Sequence, residues 1–159
     1  MPIRIRWILS EYFGIGLILL GLSGFFQLFF IFIGQYVLQI SNYFVVILIP
    51  IGVTIAMFYA NIVIFESYTQ VKRDRMLRTQ FKKARDIRSM LRKILNFPIT
   101  KPLLITSLIF LAVFFSIYYI CTSFLNNALS FLTAESFGAV ICLLIANLIE
   151  KNYAKIQKY

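Results

Sequence analysis

Six acidic side chains, two cysteines and no histidine make up the reactive inventory of this 159-residue chain. General acid–base catalysis needs titratable groups that converge, and Glu11, Glu66, Asp74, Asp86, Glu135 and Glu150 are scattered along the sequence without a pair. The missing histidine removes the commonest metal ligand and general base, and with it Ser–His or Cys–His nucleophiles. Cys121 and Cys142 are too few for a structural zinc site. Their expected depths, one near the outer end of a span and one several residues into the next, keep them from pairing, because a disulfide needs Cα atoms within about 7 Å. No glycine-rich phosphate loop follows a strand pattern; the glycines near the N-terminus are spread through an apolar stretch. The reading is therefore of a non-enzyme, with no catalytic residues, metal or cofactor.

The elements that position these residues are apolar. The chain is 60% hydrophobic, only 14% charged, and has a mean hydropathy of +0.84. A folded chain of this size leaves about a third of its surface exposed, so the excess apolar surface must face lipid. Four segments qualify as spans: about Trp7 to Gly34, Tyr43 to Phe65 (with Pro50 and Gly52 inside), Leu103 to Ser123, and Phe137 to Ile149, the last borrowing residues such as Leu129 to Leu132. At ~1.5 Å per residue a run of ~20 residues crosses the ~30 Å hydrocarbon core. The first is too long for a signal peptide and is expected to remain as a span.

The 16 basic residues fall in three stretches only: Arg4 and Arg6, Lys72 through Lys101, and Lys151 through Lys158. Basic residues beside spans are retained on the cytoplasmic face. Four crossings that begin inside place all three stretches there and leave Glu135 as the only charge in the outer loops. The expected product is an all-α, multi-pass cell-membrane protein with cytoplasmic termini. Four transmembrane helices form two hairpins (1–65 and 102–159), and a basic amphipathic cytoplasmic helix (66–101) lies between spans 2 and 3.

Within Lys72–Lys93, ten basic residues face only Asp74 and Asp86. Leu77, Phe81, Ala84 and Leu91 recur at helical spacing, with Arg85 and Arg92 among the basic side chains and Arg88 intruding on the apolar sector. Such a helix either lies on anionic lipid headgroups or docks another membrane subunit through its heptad-like seam. Nucleic acid is not expected, because no recognised binding pattern accompanies the charge. An amphipathic cytoplasmic segment between spans resembles that of the Oxa-type insertases; their charged intramembrane groove has no counterpart here, so no residue is carried over.

Small residues mark a second surface. Ser10, Gly14, Gly21 and Gly24 fall within about 80° of one another on a helix, an arrangement that lets backbones approach closely in lipid. Gln27, Thr54 and Asn61 are the deepest clearly polar groups and are expected to bond between helices. No charge is expected near the bilayer centre, with Glu66, Glu135 and Glu150 at span ends.

The function read from these features is an accessory, non-catalytic subunit of a larger integral membrane complex, such as a membrane-bound monooxygenase or respiratory complex. The alternative is a homo-oligomeric channel or small transporter whose path between copies draws on Gln27, Asn61 and Asn147. A lipid-acting enzyme would have only Glu66, Glu150 and Lys151 to use.

Overall fold

A polar backbone cannot be left unpaired in hydrocarbon, so an apolar chain of this kind must bond its amides within each segment. The computed structural model, which describes residues 10–78 and 99–156, is helical almost throughout. Helix α1 covers Ser10–Phe32, α2 Tyr43–Arg78, α3 Thr100–Cys121 and α4 Asn127–Ile156. All four are long and apolar enough to cross a membrane, over Phe13–Val37, Tyr43–Thr69, Thr100–Cys121 and Asn127–Asn152.

Helix α1 runs on into a wider π turn, Ile33–Val37, closed by the Leu38 amide on the Ile33 carbonyl at 3.0 Å. Gln39 then turns the chain with φ at 49°, a left-handed conformation that L residues other than glycine adopt at a cost. The loop to α2 is short. Proline at position 50 lies inside α2, buried, and withholds the amide that the Val46 carbonyl would otherwise accept.

Helix α4 sits against both α2 and α3, and α1 packs chiefly on α2. Helices α1 and α3 each bury one stripe at the 3.6-residue period: Leu19, Ser23, Gln27 and Phe30 on α1, continued by Gly34 in the π turn; Pro102, Thr106, Phe110 and Phe114 on α3. Helix α2 is buried all round from Ala60 to Phe65. The stripe of α4 is Phe131, Ala134, Glu135, Gly138, Ala139, Cys142 and Ala146. Its small members let neighbouring helices close in. A Cβ added at Gly138 would stand 2.8 Å from Phe110 Cε2. Large apolar side chains such as Phe25, Phe44 and Tyr119 point outward, as a lipid-facing surface requires.

The fourth helix differs from the sequence reading. It starts ten residues before Phe137, with the Ser130 amide on the Asn126 carbonyl at 2.9 Å. Polar residues taken for a loop, Asn127 and Glu135 among them, belong to the helix. The connection from α3 shrinks to residues 122–126.

Candidate functional site

One layer of polar side chains crosses the bundle and touches all four helices. The Asn61 amide of α2 donates from Nδ2 to Ser23 Oγ of α1 at 3.1 Å. From α3, Thr106 Oγ donates to Asn61 Oδ1 at 2.7 Å; its own Pro102 carbonyl, 3.0 Å away, competes for the same proton. The Cys142 thiol of α4 reaches the Thr106 carbonyl at 3.6 Å. Ser23 donates onward to the Leu19 carbonyl at 2.7 Å. All four side chains are buried. In lipid, where apolar association gains nothing from water, such bonds and close packing hold helices together. The layer is a fastening, because its donors and acceptors are spent on one another.

One turn further from the basic end, Gln27 Nε2 of α1 lies 3.1 Å from Met57 Sδ of α2, while Gln27 Oε1 has no partner. The expected interhelical bonds are thus present for Asn61 and Gln27. Thr54 departs from expectation: its hydroxyl bonds back to the Pro50 carbonyl at 2.7 Å within its own helix.

Beyond this level the interior is aromatic. Phe30 meets Phe110 and Phe114 edge-on, with ring centroids 5.1 and 4.7 Å apart, and Phe114 meets Phe131 at 5.8 Å. Each such pair contributes roughly 0.5–1.5 kcal/mol beyond its area. All four rings are buried in one apolar core.

Glu135 is the exception to the fastening. It was expected at a span end; it lies about 12 Å along α4 from its start at ~1.5 Å per residue, fully buried, with neither carboxylate oxygen partnered. Counting back from Ala146 through Cys142 and Gly138 at helical steps lands on Glu135. That periodicity could have found it, had the polar residues around it not been read as a loop.

The other sequence-derived positions separate. Gly14 and Gly21 are exposed, and a Cβ added at either would meet nothing within 4 Å. Gly24 is half-buried with Thr54 Cγ2 at 3.8 Å from such a Cβ. Ser10 opens α1. Leu77 lies in the last turn of α2, whereas Phe81, Ala84, Arg85, Arg88, Leu91 and Arg92 lie outside the described residues. Of the polar groups named for an oligomeric path, Gln27 and Asn61 are buried inside the chain and Asn147 is exposed.

Both cysteines are free. Cys121, at the end of α3, receives a long bond from Thr133 Oγ at 3.4 Å. Cys142 is nine residues further along α4 than Thr133, about 13 Å at ~1.5 Å per residue, beyond disulfide reach. Among the described residues no three Cys, Asp or Glu side chains gather to hold a metal ion. No family model, curated protein or solved structure matches this chain.

Proposed function

We propose that this chain is an accessory, non-catalytic subunit of a larger integral membrane complex, of the kind found in membrane-bound monooxygenases and respiratory complexes. In this reading two helical hairpins sit in the cell membrane with both termini and the basic segment 66–101 in the cytoplasm. That segment presents Leu77, Phe81, Ala84 and Leu91 to another integral subunit, with Arg85, Arg88 and Arg92 beside anionic headgroups. The observation that carries the reading is the interior. The Ser23–Asn61–Thr106–Cys142 layer is bonded across all four helices, and the buried phenylalanines beyond it pack ring against ring. Meanwhile Gly14 and Gly21 stand open on α1, a surface a helix of another subunit can approach.

The channel alternative is weaker for the same reason. Two of the three polar groups it needs at an oligomer axis, Gln27 and Asn61, point into their own bundle.

Purification in mild detergent, with identification of co-migrating chains, tests the proposal. A stoichiometric set of other membrane polypeptides is expected. Gly21→Leu, or charge reversal at Arg85 and Arg92, should release the chain from that set while membrane insertion stays normal. A purified homo-oligomer that conducts ions or solute with no other chain present defeats it.

A further inference from the structure

A groove of about 780 Å³ lies between helices α2 and α4. Gly52, Ala56 and Ala146 are among its small lining residues, and Ile55 and Leu144 among its large ones. From Gly52 to Val63 the lining advances eleven positions along α2, and from Val140 to Glu150 ten positions along α4. At ~1.5 Å per residue both lengths come to about 15–17 Å, close to half of the ~30 Å hydrocarbon core. Chemistry changes along it. The end at mid-membrane is wholly apolar, and the polar members Tyr59, Asn147 and Glu150 gather toward the basic end. Lys151 follows Glu150, lies four residues after Asn147 and is exposed, so it shares the Asn147 side of α4.

We propose that this groove binds one phospholipid of the leaflet at the basic end, with a zwitterionic headgroup bearing a primary ammonium. One acyl chain lies along Gly52, Ala56 and Leu144. The ammonium donates to the Glu150 carboxylate, the phosphate meets Lys151, and the Asn147 amide bonds the ester region. A transmembrane helix of another protein, about 10–12 Å across and crossing the full ~30 Å, would be seated for only half its length. Glu150 lines the groove and the exposed Lys151 follows it about 100° further round α4, on the Asn147 side, which suits a headgroup carrying both charges. A purely anionic headgroup would meet Lys151 but leave the Glu150 carboxylate of the lining without a cation.

The test is native mass spectrometry of the full chain in mild detergent, with phosphatidylethanolamine, phosphatidylcholine or phosphatidylglycerol added at equal concentration. One phosphatidylethanolamine retained per chain is expected, in preference to the other two. Glu150→Gln should weaken its retention about tenfold, the loss expected for one charge-assisted hydrogen bond, and should level the three lipids. Gly52→Phe should abolish retention of every lipid. The glycine lines the groove and has nothing within 4 Å of an added Cβ, and an unchanged thermal transition checks that the bundle is intact. Retention without headgroup preference overturns the proposal. So does lipid binding that survives Gly52→Phe, or a Gly52→Phe effect confined to loss of a second polypeptide.

Discussion

Gly138 and Gly21 are the same residue in the same kind of helix, and their surroundings are opposite. Gly138 lies on the inward stripe of α4, where an added Cβ would press on the Phe110 ring at 2.8 Å; Gly21 lies on α1 with open space around it. One glycine is required by a neighbour within the chain. The other leaves a backbone surface that only lipid or another molecule can cover. The contrast shows that smallness in a membrane helix marks a permitted approach, and that the approaching surface must be known before a role is assigned.

The largest expected effect tests the inward half of this contrast. Gly138→Leu should destabilise the isolated chain by about 3 kcal/mol or more, since overpacking a close-packed interior costs roughly 1–3 kcal/mol and here the first added atom already meets a ring. Unfolding in mixed micelles of mild and denaturing detergent measures it. An unchanged midpoint would mean that α4 does not approach α3 as described.

Glu135 shares the Gly138 stripe, and its substitution should act in the opposite direction. Glu135→Met keeps an unbranched side chain and removes two unpartnered oxygens, each of a kind whose burial costs about 1–3 kcal/mol. A stability gain of about that size is expected in the same assay. A loss would show that the carboxyl has a partner holding the bundle together.

Asn61→Leu, on the facing helix, should cost about 0.6–1.7 kcal/mol, the range measured for interhelical hydrogen bonds in lipid. Thr106→Val made in the Asn61→Leu background should add less than it does alone, because the two side chains share one bond. Full additivity would sever the layer.

The smallest effect belongs to the outward half. Gly21→Leu should move the stability of the isolated chain by less than about 0.5 kcal/mol, as surface substitutions do, even though it is expected to release the chain from its complex. A large destabilisation on its own would make Gly21 a second Gly138.

Much of this was legible in the residues. Apolar length and the absence of charge marked four membrane-crossing helices, and the depth of Asn61 and Gln27 pointed to bonds between helices. What was not legible was who faces whom. Ser23, Thr106 and Cys142 hold no signal that they converge on Asn61, because convergence arises from packing between helices far apart in sequence. The stripe of α4 was hidden for a different reason. Its small members are mostly alanine and cysteine, which do not announce a contact as a glycine repeat does. The start of α4 was misplaced because Asn127, Ser130, Thr133 and Glu135 look like a loop when polarity is read without period. Two of them, Ser130 and Thr133, bond to carbonyls of the preceding turn, Leu125 and Leu129.

Helix α2 does not stop where the hydrocarbon does. Its 36 residues make a rod of about 54 Å at ~1.5 Å per residue, against a core of ~30 Å. The apolar stretch ends at Thr69, and the helix continues for nine residues beyond it, to Arg78. Pro50 is the compliant joint of that rod, since one backbone bond is missing there. A tilt of about 10° at Pro50 sweeps Arg78, roughly 42 Å away along the axis, through about 7 Å. The pivot of such a tilt lies one turn from Thr54, on the helix against which α4 rests.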